Sequence, residues 1–494
     1  HIISEEDEVR LANLIYYPEK MINQIKQANE YTEDWQKTAV YRLVQICREV
    51  SSKYTRSKVR KKMPREFSGV IDELLYVDNT DDNKTEYYSE LINTLIDVRV
   101  ADSFIVVICS LIRSLTIDNL HILGDIFDRG PRPDIILEEL MHFHDVDIQW
   151  GNHDISWMGA ATGNRACICN VLRMALGYNG FDVLEDGYGI NLRPLSMFAE
   201  RVYRDDPCTC FLPQILDKNI YDAVDPKLAA KMHKAIAVLQ YKEEGQIIKR
   251  HPEYGMEERI LLSAIRYDRG TVTIDGKEYP MRDMNFPTVD PADPLRLTDE
   301  EEELLHTLEL SFRHNARLHE HVRFLYSNGS MYKCCNSNLL YHGCIPMTEN
   351  REFDGLMVGG KMYRGKELMD FIDTQVKNAY FLPEDAPEKE ACRDFMWYLW
   401  NGAKSPVFGK DKNRSFEHYF IEDPEVMRET MNPYYQLSEE EETCDMILKE
   451  FGLPTKGSHI INGHMPVKIK SGETPIRAGG KLFIIDGGLS KAYQ

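Results

Sequence analysis

The sequence predicts an α/β protein in which short buried strands carry large, mainly helical insertions. Three observations carry this reading. Short apolar runs stop abruptly at Gly, Asn or His, helical periodicity lies between them, and long charged, helix-prone tracts interrupt the pattern. The composition allows a large core: of 494 residues, 43% are hydrophobic and 10% aromatic, which excludes a disordered or collagenous chain.

Taken in order, residues 1–100 read as a mainly helical insertion or cap region, because residues 34–44 place apolar side chains at three- and four-residue intervals. The texture changes in 101–200, the first part of the core. Leu120-His121-Ile122-Leu123 runs into Gly124, and residues 146–150 run into Gly151. Between them, Pro133 and Asp134 open an amphipathic run through Leu137, Leu140 and Met141, as a proline at the first helical position does. Residues 331–350 supply a further strand, Leu339-Leu340-Tyr341 before His342. Residues 458–494 supply His459-Ile460-Ile461 before Asn462, and 482–485 before Asp486. The tracts 201–330 and 351–457 lack this strand-and-loop texture and read as insertions on one α/β core.

Charge narrows the function. With 59 basic against 80 acidic side chains, the net charge is -21, which argues against a nucleic-acid partner. An anionic substrate must then be captured locally, by a metal or a basic pocket. The charge-free stretch in the most apolar region, 103–112, falls short of the ~20 residues that span a bilayer, and no basic segment opens the chain, so no membrane partner is expected. Eleven cysteines without a C-x-x-C suggest neither a disulfide framework nor a zinc ribbon, and fit a reducing cytoplasm.

Four strand ends bear groups able to bind a cation, where open α/β sheets build their sites. They are Gly124-Asp125-Ile126-Phe127-Asp128-Arg129-Gly130, Gly151-Asn152-His153-Asp154, His342-Gly343 and Gly463-His464. A carboxylate, an amide oxygen and two imidazoles form a mixed oxygen and nitrogen set suited to Mn²⁺, Fe or Zn²⁺. G-D-x-x-D-R-G followed by G-N-H-D and two strand-end histidines resembles the metallophosphoesterase superfamily, which includes the Ser/Thr protein phosphatases and calcineurin-like enzymes. More closely, the chain is similar to the bacterial class III fructose-1,6-bisphosphatases. That likeness runs from Leu14-Ile15-Tyr16-Tyr17-Pro18-Glu19, through residues 51–58 and 147–154, to Ile485-Asp486-Gly487-Gly488.

The resemblance implies a β-sandwich core flanked by helices and hydrolysis of the 1-phosphate of fructose 1,6-bisphosphate, a small sugar bisphosphate, in gluconeogenesis. It implies two divalent ions, Mn²⁺ first, with Asp125 bridging them and Asn152, His342 and His464 completing one site. By the same likeness His153 is the general acid, Asp128 orients its imidazole, and Arg129 grips the phosphate. One departure stands out: the superfamily supplies an Asp-x-His pair before the bridging Asp, and none occurs in this sequence. The expectation is therefore an interior piece of a longer protein, with that pair upstream of His1. Two alternatives remain open, a protein Ser/Thr phosphatase and a non-catalytic scaffold.

Three other features of the sequence invite a functional reading. Lys53, Arg56, Lys58, Arg60, Lys61, Lys62 and Arg65 form a basic run that fits either an anion site or a solvated helix face. Gly360 to Lys366 spells G-x-x-x-x-G-K, but Glu367 stands where a P-loop needs a hydroxyl, so it reads as a chance match. Trp397 and Trp400, three residues apart, have a helical spacing that could line a ligand pocket but more often marks core aromatics of an insertion.

Overall fold

The computed structural model describes residues 4–76, 82–214 and 225–486, so Gly487 and Gly488 lie outside the described residues. The chain divides into two compact units, His1–Leu120 and His121–Gln494.

The first unit is helical. Helix Glu33–Ser51 forms where the apolar spacing predicts it, and Thr32 caps it by accepting the Trp35 N–H at 3.1 Å. Its buried face, Val40, Leu43, Val44 and Cys47, shares a core with Phe104, Ile105 and Ile108 of helix Ala101–Thr116. The basic run lies here and is largely spoken for. Arg56 and Arg60 reach Asp72 at 2.7 and 2.6 Å, and Lys58 and Lys62 reach Asp118 at 2.7 and 2.6 Å. This is a solvated helix face laced by ion pairs rather than a ready anion site.

The strands, in chain order, are β1 (Leu120–Ile122), β2 (Val146–Gln149), β3 (Ile265–Arg266), β4 (Thr271–Ile274), β5 (Lys277–Pro280), β6 (Gly329–Ser330), β7 (Tyr332–Cys335), β8 (Asn338–Tyr341), β9 (Gly355–Val358), β10 (Lys361–Arg364), β11 (His459–Asn462), β12 (Ile476–Arg477) and β13 (Leu482–Ile484). Two sheets position the site: a three-stranded one of order β1-β2-β6 and a five-stranded one of order β12-β13-β11-β8-β7. All four residues of β2 are buried, the polar Asp147 and Gln149 included. Because β8 and β11 are parallel neighbours, their carboxyl ends share one edge, and His342 and His464 emerge beside each other. Helix Pro133–His142 starts with its proline at the first position, as the sequence implies.

The helix-prone tracts 201–330 and 351–457 also hold strands of their own. Strands β3, β4 and β5 form an antiparallel sheet inside the first tract, and β9 pairs antiparallel with β10 inside the second. The β4–β5 turn is Asp275-Gly276, with φ of 49° and 78°, the left-handed pair that a tight hairpin demands. Gly359 and Gly360 turn the second hairpin at φ of 58° and 80°. That hairpin also disposes of the P-loop match, because Lys361–Arg364 is a strand and the Lys366 amine pairs with Asp370 at 2.6 Å. Among the described residues no helix is long and apolar enough to cross a membrane, and the cysteines are free thiols.

Candidate active site

Past the end of β1 the chain bends through Gly124 and Asp125, both left-handed at φ of 85° and 57°. The two loop glycines are required by a close approach. A Cβ on Gly124 would lie 2.3 Å from the Gly151 nitrogen, and one on Gly151 would lie 2.1 Å from Asp125 Oδ1. Asp154 fastens the two loops together: its buried carboxylate accepts the backbone N–H groups of Asp125 at 2.8 Å, Gly151 at 3.0 Å and Phe127 at 3.3 Å. Burial and the neighbouring Asp125 charge push Asp154 up to about 6. The motif resemblance assigns Asp154 no role. The available signal was its place three residues after Gly151, where a carboxylate reaches back to the N-cap N–H of a helix.

Asp125, His342 and His464 each offer a ligand atom, and all three atoms lie within 4.8 Å of one another. Backbone carbonyls orient both rings: His342 Nδ1 meets the Leu123 oxygen at 2.5 Å and His464 Nε2 meets the Phe408 oxygen at 3.1 Å. With those nitrogens carrying the protons, His342 Nε2 and His464 Nδ1 turn toward each other at 3.1 Å, and the first is 3.3 Å from Asp125 Oδ2. The Asn152 amide joins them. With its nitrogen inward it donates to Asp125 Oδ1 and Oδ2 at 3.2 and 3.3 Å; with its oxygen inward, it needs a cation between itself and the carboxylate.

The local field favours positive charge. Although burial opposes it, the Asp125 carboxylate pushes His342 up to about 9, and His342 in turn, against the same burial, holds Asp125 well below the usual carboxylate range. Burial and the nearby His342 push His464 down to about 3, which keeps a lone pair on it. These four residues therefore fit a divalent cation.

A second grouping, Asp125, Asp128 and His153, also lies within 4.8 Å. His153 Nε2 is 3.1 Å from Asp128 Oδ1, and Arg129 Nε is 3.4 Å from the same oxygen. The Arg129 guanidinium lies 4.5 Å over the Tyr178 ring. Arg129 and His464 both hold left-handed backbone, φ of 52° and 67°, a strain that clusters where side chains must be aimed.

All 494 residues match the family described as Firmicute fructose-1,6-bisphosphatase. The chain belongs to that family. It is 51% identical to the class 3 fructose-1,6-bisphosphatases of Clostridium tetani over 492 residues and of Bacteroides fragilis over 495 residues. It is 49% identical to that of Clostridium acetobutylicum over 492 residues. In each case all of this chain aligns with 74% of the relative. No solved structure matches at a significant level.

In this fructose-1,6-bisphosphatase family member Asp125, Asp128, Arg129, Asn152, His153 and His464 line a cleft of about 650 Å³. Its walls come from helices and loops far apart in sequence, including Arg173, Trp400, Lys410 and Tyr419. Trp400 combines the two readings of the tryptophan pair: it is buried in the core, yet it lines the cleft and meets the His153 ring in a T-shaped contact at 4.9 Å. Trp397 does belong to the core, donating its indole N–H to Glu244 at 3.0 Å. A second cleft of about 620 Å³, walled by Arg165, Glu243 and Asp394, contains none of the site residues.

Proposed function

We propose that the chain hydrolyses the 1-phosphate of fructose 1,6-bisphosphate to fructose 6-phosphate on a metallophosphoesterase-type core. The observation that carries this is the convergence of Asp125, His342 and His464 within 4.8 Å, beside Asn152 and at the mouth of a cleft. These four residues would hold a divalent cation, Mn²⁺ being the reading that suits their mixed donors, and Asp125, which belongs to both groupings, would be available to a second ion. When bound, the metal supplies Lewis acidity that acidifies water and withdraws charge from the phosphoryl oxygens.

The remaining work falls to this chain's own side chains. Arg129 grips phosphoryl oxygens with its planar fork, and its stacking on Tyr178 limits the orientations it can take. His153 gives a ring proton to the departing sugar oxygen, so that a neutral alcohol leaves in place of an alkoxide. Asp128 stabilises the imidazolium that must stand ready, and Trp400 keeps the ring from rotating away.

The test is a panel of sugar bisphosphates, phosphopeptides and nucleotides assayed for phosphate release with Mn²⁺ supplied. Preference for fructose 1,6-bisphosphate is expected. Preference for phosphopeptides would promote the protein phosphatase reading, and metal binding without hydrolysis of any of them would favour a scaffold.

A further inference from the structure

Arg173 lines the same cleft as Arg129 and His153, on the far part of helix Arg165–Gly177. It is 5% exposed, so its charge is almost wholly withdrawn from bulk water. Such a group ordinarily sits against a carboxylate, because an uncompensated buried cation is costly. Arg173 does not. Nε donates to Gln240 Oε1 at 2.7 Å, Nη1 to the Tyr419 hydroxyl at 3.1 Å and Nη2 to Asn170 Oδ1 at 2.9 Å, all neutral oxygens. A guanidinium has five N–H donors, so among the described residues one on each Nη atom has no partner.

The surroundings do not supply the missing charge directly. Among the described residues Glu244 is a carboxylate whose charge acts on Arg173, but it makes no hydrogen bond to it: Gln240 at 2.8 Å and Trp397 at 3.0 Å engage its Oε1, and burial raises its pKa toward the neutral form. Of the carboxylates lining the cleft, Asp125 and Asp128 belong to the metal corner, and Glu429 is held by Lys410 at 2.6 Å. The mount of Arg173 is rigid. The Tyr419 hydroxyl also meets His233 Nε2 at 2.9 Å, the other nitrogen of that ring meets the Phe211 oxygen at 2.9 Å, and the Tyr419 ring stacks on Phe211 at 4.6 Å.

A fixed, buried guanidinium with neutral partners and spare donors, open to a substrate cleft, is complementary to a dianionic phosphate. We propose that Arg173 is the subsite for the second phosphate of the sugar bisphosphate, and thereby selects bisphosphorylated over monophosphorylated substrates. Tyr419, Gln240 and Asn170 are positioning residues that aim it. This deepens the hydrolytic reading above and rests on it.

The experiment compares kcat/KM for fructose 1,6-bisphosphate and fructose 1-phosphate in the wild-type protein and in Arg173→Gln, with folding checked by thermal melting. The bisphosphate-to-monophosphate ratio is expected to fall roughly 10- to 100-fold, chiefly through KM for the bisphosphate, as loss of hydrogen bonds to a charged group predicts. Equal losses on both substrates, or an unchanged ratio, would overturn the subsite and leave Arg173 a structural bolt. Should Arg173→Gln fail to fold, Arg173→Lys keeps the charge but not the fork, and the same ratio decides. A wild-type protein inactive on fructose 1,6-bisphosphate would instead overturn the hydrolytic reading, so the two failures are distinct.

Discussion

His153 donates its backbone N–H to Asp125 Oδ1 at 3.1 Å, which ties the proposed proton donor to the proposed metal ligand through the main chain. Its ring, by contrast, points at Asp128. The backbone contact survives substitution of the side chain, so the two roles can be separated. Replacing His153 by Asn is expected to lower kcat by ~10² to 10⁴ while leaving Mn²⁺ content nearly unchanged. Parallel loss of metal and activity would make His153 a ligand, which its place in the second grouping also allows.

Gly151 is the tightest point of the site. A methyl group there would meet Asp125 Oδ1 at 2.1 Å and the Asp125 nitrogen at 2.5 Å, so Gly151→Ala must displace the carboxylate or the loop. Misplacement of a reacting group by about 1 Å can cost ~10²-fold, and a loss of at least that size in kcat/KM is expected. Retention of wild-type activity by a folded Gly151→Ala protein would show that Asp125 is not held in its working position.

His342 stands between the Leu123 carbonyl and Asp125, and its substitution removes a ligand as well as the charge partner of Asp125. His342→Gln should weaken Mn²⁺ binding by at least ~10²-fold, the upper end of the cost of losing even an outer partner of a ligand. Metal titration followed by calorimetry reads this directly; an unaltered affinity would place the ion elsewhere.

His233 predicts a component of the acid sensitivity of folding. Burial, aided by the Arg173 charge, pushes its pKa from the usual 6.5 to about 3 in the folded protein, despite the bond to the Phe211 carbonyl. The sign follows from proton counting: between about 3 and 6.5 the unfolded chain binds a proton that the folded chain refuses, so stability rises with pH across this window. One proton corresponds to a slope of ~1.4 kcal/mol per pH unit at most. In urea unfolding measured across that window, His233→Gln should flatten the slope by up to this amount, whereas an equal slope would mean that His233 titrates normally.

Much of this protein was written locally. The metal corner was legible because each proposed ligand follows a short apolar strand and stands beside a glycine, as Asp125 after Gly124 and His464 after Gly463, so neighbours in sequence announce strand, turn and side chain together. Helix Pro133–His142 was legible for the same reason. The hairpins at Asp275-Gly276 and Gly359-Gly360 carried an equally local signal that the charged character of their surroundings masked. What the tertiary structure alone decided is what lies opposite. The carbonyls of Leu123 and Phe408 that orient the two imidazoles, the Trp400 face against His153, and the Gln240 and Tyr419 anchors of Arg173 come from segments far apart in the chain. Periodicity and spacing record which residues share a strand or a helix face, but a buried cation acquires its partners only when separate helices pack, and no local pattern encodes that encounter.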